Sequence, residues 1–346
     1  MSLSTMKRAC LFLGVLSLVS GGCASAPENT PGPSRQALSA TAALPSGSAG
    51  NGGISVTPAM DSPRPGPPTK DGKGPVDESW VDVAAYPWLH DRTIAEQTID
   101  GKVQSRFPAP SGWTRAPLQA GSFGAWLRGL PLRPKSPVRD YRGRELLRAD
   151  DSRIAAVAAL DEGAADLQQC ADSVIRLHAE WRWSRGDRDE SYRAASGAEM
   201  PFGRWLAGSR PVVEDGKRLT WKLEAKRGDR DDHGSFRRFL DAVFMWANTG
   251  SLARDGKRVA LAELRPGDFF VLPGGPGHTV LVLDAATSAS GQIAVLLGQG
   301  YMPAQSFHVL RGANGSPWFT LDPSAEGVDT PFWPAPFPWS SLRRLD

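Results

Sequence analysis

The segment PGDFFVLPGGPGHTVLVLDAATSASGQIAVLLGQGYMPAQ, residues 266–305, decides the fold. Apolar runs at 269–272, 279–283 and 293–297 predict three short strands, because each is bounded by turn-forming residues. Prolines and glycines at 273–277 separate the first two strands, and a small polar loop at 285–292 separates the second from the third. The segment therefore predicts an antiparallel β-sheet.

The second hairpin of this segment carries two polar side chains at its open end, His278 and Gln299. If Asp284 pairs with Ile293 across the loop, antiparallel register places His278 directly opposite Gln299, with Cβ atoms about 4.5–5.5 Å apart. A histidine oriented by a neighbouring amide is half of a cysteine-hydrolase site. The other half must be a thiol.

The chain has three cysteines, and one of them, Cys170, lies far from the N-terminus. It falls in a predicted helix at 166–183, where Cys170, Val174, Leu177 and Trp181 follow the helical period and form an inward stripe. Asp166 is the predicted N-cap, which would place Cys170 within about the first turn. A thiol near a helix N-terminus has its ionised form favoured.

These residues form a candidate catalytic site. Cys170 is the candidate nucleophile, His278 the base and Gln299 the group that orients the imidazole. Gln168 or Gln169, or a backbone N–H at the helix start, would stabilise the oxyanion. Each residue also has a structural interpretation: a buried stripe residue, a strand-start residue and a turn amide, respectively. The proposed chemistry requires no metal and no cofactor.

The N-terminal segment predicts export. Lys7 and Arg8 precede an apolar run at 9–19 of signal-peptide length, too short for a permanent membrane span. Ser20–Cys23 resembles a bacterial lipobox, in which Cys23 is lipidated, so residues 1–23 are interpreted as a lipoprotein signal peptide. An A-x-A cleavage site at 24–26 is the alternative. The predicted location is the cell envelope, periplasmic or outer-membrane, with the lipid anchor in a membrane.

Residues 24–78 are rich in proline, glycine, serine and alanine and predict a disordered tether, because they contain too little apolar surface to fold. Residues 79–346 then form the folded domain, with inserted charged loops around 183–232. The net charge of +3 is too small to predict a nucleic-acid partner. We expect a monomer.

Three further segments have predicted structures. Ser122 caps a short helix at 123–128, and Ser235 caps a helix that runs to Asn248. The tail at 330–339 alternates prolines with aromatic residues, which favours an extended segment covering a core.

Two other functional classes compete with the hydrolase. Metal catalysis has little support, because the five histidines show no ligand spacing such as H-E-x-x-H. A non-catalytic envelope lipoprotein that binds a peptide or glycan is the second alternative, and it would use exposed aromatic side chains. The candidates for that role are Trp113, Trp126, Trp205 and Trp318, although aromatic residues at this frequency usually belong to the core.

Several motifs together resemble one family, the bacterial domain of unknown function 4846. These are SFGAWLR at 122–128 with LPL at 130–132, DLQQCAD at 166–172 with Arg176-Leu177, PGH at 276–278, YMPAQ at 301–305, SPW at 316–318 and TP at 330–331. The resemblance covers nearly all of the predicted domain. The family's name implies no activity.

A more distant resemblance is to the NlpC-type and CHAP-type papain-like amidases. The shared order is a helix-borne cysteine, then PGD before a strand at 266–268, then Gly277-His278 opening the next strand. This resemblance implies an α+β papain-like fold, in which a Cys-bearing helix packs on an antiparallel β-sheet. It also implies thiol-dependent hydrolysis of an amide or peptide bond, in a peptide or peptidoglycan-like substrate, by Cys170, His278 and Gln299.

Overall fold

The computed structural model describes residues 82–90, 99–216, 218–224 and 229–346. All of these residues belong to the compact unit Gly72–Asp346. The predicted signal peptide, the predicted lipidation site Cys23 and the predicted tether at 24–78 lie outside the described residues.

Six α-helices and seventeen strands occur within the described ranges. The helices are α1 (Val103–Arg106), α2 (Phe123–Arg128), α3 (Cys170–Ser184), α4 (Phe202–Leu206), α5 (His233–Trp246) and α6 (Thr249–Asp255). The strands are β1 (Trp113–Arg115), β2 (Val138–Arg139), β3 (Glu145–Leu147), β4 (Ile154–Val157), β5 (Ser191–Arg193), β6 (Glu199–Pro201), β7 (Ser209–Glu214), β8 (Arg218–Leu223), β9 (Lys257–Arg258), β10 (Phe269–Leu272), β11 (His278–Ser288), β12 (Ile293–Gln299), β13 (His308–Leu310), β14 (Trp318–Thr320), β15 (Gly327–Val328), β16 (Phe337–Pro338) and β17 (Leu342–Arg344).

Nine of the strands form the main sheet, in the order β4-β13-β12-β11-β10-β17-β9. The two remaining members, β1 and β14, pair with β11 and β12. Every pairing in this sheet is antiparallel. The predicted combination of helices with an antiparallel sheet is confirmed at this coarse level, and residues 266–305 supply its central strands.

The predicted register of the central hairpin is wrong. Strand β11 continues to Ser288, so the connection to β12 is shorter than predicted. Asp284 pairs with Leu296, not Ile293, and a bulge between Val282 and Asp284 shifts the register within the hairpin. The polar Asp284 stays inside the strand because two arginines neutralise its buried carboxylate, Arg115 at 2.8 Å and Arg128 at 2.7 Å.

Helix α3 packs against β11 of the main sheet. Its Val174 and Leu177 join a buried cluster that also contains Leu281 and Leu283 from the strand. The helix begins at Cys170, so the predicted start at Asp166 is wrong. Asp166 Oδ1 instead accepts the backbone N–H of Ala304 at 2.7 Å, and this bond ties the loop before α3 to the loop after β12.

The two faces of the sheet are covered differently. The helices pack on one face, where Leu281, Leu283 and Leu296 meet Val174 and Leu177. On the other face, Val280, Val282 and Leu297 form a second cluster with Phe337. The tail that contains Phe337 thus covers a core in extended form, as its alternation of prolines and aromatic residues predicts.

Two other predicted elements differ in detail from the structure. Ser122 caps α2 as predicted, accepting the Ala125 backbone N–H at 3.3 Å. Helix α5 begins at His233, two residues earlier than predicted, because Asp232 caps it and accepts the Ser235 N–H at 2.7 Å. The charged region at 183–232 contains the hairpins β5–β6 and β7–β8 with α4 between them.

Among the described residues, none of the helices has both the length and the apolar character needed to cross a membrane.

Candidate active site

Cys170 opens α3, and its side chain is 7% exposed. The thiol points at the carbonyl oxygen of Gly277, with Sγ at 3.9 Å. Gly277 directly precedes His278 in β11, so the fold brings the thiol against the peptide that carries the imidazole. These two regions are more than a hundred residues apart in sequence.

A cleft of about 380 Å³ opens beside the thiol. The start of α3, the junction of α5 with α6 and the 274–277 turn line this cleft. Two methionines on its wall expose large apolar side chains, Met245 at 58% and Met302 at 43%. An exposed methionine adapts to apolar groups of varied shape, so the cleft presents an apolar surface next to a nucleophilic atom.

His278 and Gln299 are hydrogen-bonded, with 2.8 Å between Nε2 of the imidazole and Oε1 of the amide. They are not directly opposite, as the predicted register required. Leu281 pairs with Gly298, so continuing this register places Gln299 diagonally across from His278 on the same face. Diagonal neighbours about 7–8 Å apart at the backbone lie within reach of long side chains.

Aromatic side chains enclose the imidazole. The ring of Trp333 stacks on that of His278, with centroids 5.1 Å apart and an interplanar angle of 24°. Tyr301 packs edge-on at 4.8 Å, and Phe337 lies at 5.9 Å. Consequently His278 is almost completely buried and does not line the cleft. Of Cys170 and His278, only Cys170 lines the cleft.

A second histidine, His308 on β13, contacts the far side of the glutamine. Gln299 and His308 pair directly across β12 and β13, and 3.2 Å separates the amide Nε2 from the imidazole Nε2. The Nδ1 atom of His308 lies 2.9 Å from the carbonyl oxygen of Ser306. The contact between His308 and Gln299 cannot be predicted from sequence spacing, since it depends on the order of strands in the sheet.

Burial keeps the thiol and the imidazole uncharged at neutral pH. It raises the pKa of the Cys170 thiol to about 11, with a further contribution from the Asp172 carboxylate. Backbone N–H groups of Cys170 and Ala171 act in the opposite direction. Burial lowers the pKa of His278 to about 4, although the hydrogen bond that His278 donates to Gln299 offsets part of this effect. Both groups are therefore uncharged in the resting state.

Asp172 stabilises the start of α3. One of its carboxylate oxygens, Oδ2, accepts the backbone N–H of Gln169 at 3.2 Å. The other oxygen is buried and has no hydrogen-bond partner among the described residues. Burial raises the pKa of this carboxyl well above its usual range.

The two glutamines before Cys170 have different surroundings. The side chain of Gln168 is buried and engaged, since it accepts from Arg176 at 2.9 Å and donates to the Asp161 carbonyl at 2.9 Å. Gln169 lines the cleft beside the thiol. Of the two candidate oxyanion-stabilising side chains, only Gln169 is thus placed next to Cys170. The backbone N–H groups of the first turn of α3 have no hydrogen-bond partners within the helix, and they also lie next to Cys170.

Two glycines at the ends of the central strands leave no room for a side chain. A Cβ added to Gly277 would meet Thr249 Oγ1 and, at 2.7 Å, the Leu272 carbonyl oxygen. A Cβ added to Gly300 would meet the Ser173 side chain. A larger residue at position 300 would therefore push against the thiol-bearing helix, and one at position 277 would push against α6 and the end of β10.

Within the described ranges, no group of three or more histidine, cysteine, aspartate or glutamate side chains is arranged to hold a metal ion.

The described residues define a mixed α/β domain, built on a mostly antiparallel sheet. In this domain a buried thiol lies against the peptide before a histidine that is bonded to a glutamine. The model of the family described as a domain of unknown function (4846) matches residues 103–344, and the chain belongs to that family. No curated protein and no solved structure matches the chain.

Proposed function

We propose that the protein is a thiol-dependent hydrolase that cleaves an amide or peptide bond. The observation that carries this proposal is the position of Cys170. Its sulfur opens a helix, lines a cleft and lies 3.9 Å from the carbonyl oxygen that precedes His278. The imidazole is held in turn by Gln299. These are the parts that a cysteine nucleophile needs: a base and a group that orients the base.

The reaction would proceed through two covalent steps. His278 Nδ1 takes the thiol proton as the Cys170 sulfur bonds to the substrate carbonyl carbon. The oxyanion then accepts hydrogen bonds from N–H groups that open α3, with the Gln169 side chain nearby. The carbon–nitrogen bond breaks, and the imidazolium returns its proton to the leaving amine. Water finally hydrolyses the thioester, releasing the acid and restoring the thiol.

The neutral resting pair affects how this mechanism starts. A thiol with a pKa of about 11 is not ionised in advance, so proton transfer to His278 must accompany the attack. Substrate in the cleft would change the surroundings of the thiol, because Cys170 lines the cleft.

We also propose an envelope location and a papain-like fold, both supported by the sequence. Lys7 and Arg8, the apolar run at 9–19 and the lipobox-like Cys23 support an exported lipoprotein attached to a membrane. The order of helix-borne cysteine, strand-borne histidine and a polar residue on the next strand is similar to the NlpC-type and CHAP-type amidases. That similarity supports a peptide or peptidoglycan-like substrate.

A binding module that does not catalyse is the second candidate, and the high pKa of Cys170 favours it. The aromatic platform predicted for such a module is wrong for three of its four members, because Trp126, Trp205 and Trp318 are buried. A non-catalytic protein would instead hold its ligand in the cleft beside Met245 and Met302.

The deciding experiment compares the wild type with Cys170→Ala and Cys170→Ser. Purified peptidoglycan and a peptide library are incubated with each protein, and the products are identified by mass spectrometry. We expect hydrolysis by the wild type and a loss of at least about a thousandfold in both variants, with an unchanged circular dichroism spectrum. Hydrolysis that survives in Cys170→Ala contradicts the proposal. Equal binding without hydrolysis by all three proteins supports the binding module.

A further inference from the structure

Three buried side chains on neighbouring strands form one continuous chain of hydrogen bonds. The distance from His278 Nε2 to Gln299 Oε1 is 2.8 Å, and the distance from Gln299 Nε2 to His308 Nε2 is 3.2 Å. His308 Nδ1 lies 2.9 Å from the carbonyl oxygen of Ser306. The chain starts at the candidate base and ends at a backbone carbonyl.

The carbonyl sets the direction of every bond in this chain. A carbonyl oxygen only accepts, so Nδ1 of His308 must carry a proton. A neutral imidazole protonated on Nδ1 has an unprotonated Nε2, which must receive a donor, and that donor is the Gln299 NH₂ group. The other end of the amide, Oε1, then faces His278 and accepts from its Nε2–H. The remaining nitrogen of His278, Nδ1, is left with a free lone pair.

We propose that His308 is a positioning residue, which fixes the orientation of the Gln299 amide and thereby selects the His278 tautomer that can act as a base. This inference rests on the proposed function, since only a hydrolase uses the lone pair on His278 Nδ1. His308 touches neither the thiol nor the cleft. It acts through Gln299.

The surroundings of His308 hold it in the neutral form that this role needs. The ring is buried, and Phe332 packs edge-on against it with centroids 5.6 Å apart. Burial lowers the pKa of His308 to about 4. Three titratable groups act on it more weakly: His278 and Arg153 lower the pKa, and Asp151 raises it.

Without an acceptor at His308, the Gln299 amide would lose its preferred orientation. In the flipped orientation, the amide NH₂ would face His278 Nε2 and donate to it. That contact favours the tautomer protonated on Nδ1, and this tautomer cannot take the thiol proton. The loss would affect catalysis without removing any atom from the cleft.

The test reads the tautomers directly by ¹⁵N-edited NMR of the imidazole rings in the full-length protein, without substrate. In the wild type we expect His308 protonated on Nδ1 and His278 protonated on Nε2. The opposite tautomer at either ring overturns the inference.

Two variants then separate a positioning role from a packing role. His308→Leu removes the acceptor, and we expect His278 to shift toward the Nδ1-protonated form. His308→Gln keeps an acceptor near the Nε2 position, and we expect the wild-type tautomer of His278. His178→Leu is the matched control, because it removes another buried, neutral histidine that contacts Tyr192 and Asp346 and not Gln299. An unchanged His278 tautomer in a folded His308→Leu variant overturns the inference.

Kinetics give the second readout once a substrate is found. We expect kcat of His308→Leu to fall about 10–100-fold, KM to change by less than about threefold, and His308→Gln to retain most activity. If Cys170→Ala abolishes hydrolysis but His308→Leu does not change the tautomer or kcat, this inference alone fails. If the tautomers are as expected but Cys170→Ala still hydrolyses substrate, the proposed function fails instead.

Discussion

The reactivity of Cys170 toward a small alkylating reagent tests the electrostatics of the site. Iodoacetamide reacts with the thiolate, so its rate follows the ionised fraction of the thiol. Burial and the Asp172 carboxylate raise the pKa of Cys170 from 9.0 to about 11. At pH 7 about one thiol in ten thousand is then ionised, about a hundredfold fewer than in an unperturbed cysteine.

The assay follows alkylation of the tryptic peptide that contains Cys170 by mass spectrometry, between pH 6 and pH 10. The folded protein should react about a hundredfold more slowly at pH 7 than the protein unfolded in urea. Its rate should also rise about tenfold per pH unit up to pH 10, whereas the rate of the unfolded protein should level off near pH 9.

Asp172→Asn tests the smaller of the two causes that raise the pKa of Cys170, the charge of Asp172. An asparagine oxygen can still accept the Gln169 N–H that Asp172 accepts now, but the negative charge beside the thiol is removed. The pKa of Cys170 should fall, and alkylation at pH 9 should accelerate. A rate that is already constant below about pH 8 in the wild type would refute the reasoning, because it would show that the thiol is ionised by pairing with a protonated His278.

Three further predictions concern residues around the thiol. Gln299→Ala should lower the rate of hydrolysis by about 10–100-fold, which is less than the loss in Cys170→Ala, because packing by aromatic rings still holds the imidazole of His278. Steady-state kinetics would check this, and an equal loss in both variants would contradict it. Gly277→Ala should lower the free energy of unfolding in urea by about 1–3 kcal/mol, whereas Gly275→Ala in the same turn, where an added Cβ meets nothing within 4 Å, should change it little. Burial lowers the pKa of His308 from 6.5 to about 4, so this group's contribution to stability is present above pH 6.5 and is lost as the pH falls toward 4. Between pH 7 and pH 5 the wild type should therefore lose about 2 kcal/mol more than His308→Gln, and equal losses in urea titrations would exclude a depressed pKa.

Local patterns predicted the elements that carry the site. The glycines and prolines at 273–277 and the apolar runs beside them predict β10, β11 and β12, and helical periodicity around Cys170 predicts α3. Capping was harder to predict. Asp166 looked like the N-cap of α3, but its carboxylate accepts the N–H of Ala304, more than a hundred residues away. A carboxylate near a helix start can accept either from the helix N–H groups or from a distant backbone N–H. The neighbouring residues in the sequence do not show which of these donors it will meet.

The register of the central hairpin could not be predicted from loop symmetry. The small polar residues at 285–292 predict a loop, and the predicted strand therefore ends at Asp284. In the structure Asp284 is buried between Arg115 and Arg128 and pairs with Leu296, three positions from its predicted partner. The bulge before Asp284 reduces this difference by one, so Gln299 lies two positions from its predicted place opposite His278. A two-residue shift keeps each side chain on its original face, so the predicted contact survived a wrong register.

The sequence by itself determined which chemical groups are present and which strands and helix carry them: one thiol in the described domain, one histidine opening β11 and one glutamine closing β12. Only the tertiary structure decided how those groups behave. It placed the thiol against Gly277, brought His308 to the far side of Gln299 and buried the thiol and both imidazoles, which sets their pKa values and hydrogen-bond directions. The physical reason is that burial and sheet order depend on contacts between distant segments, whereas composition and periodicity are local properties of the chain.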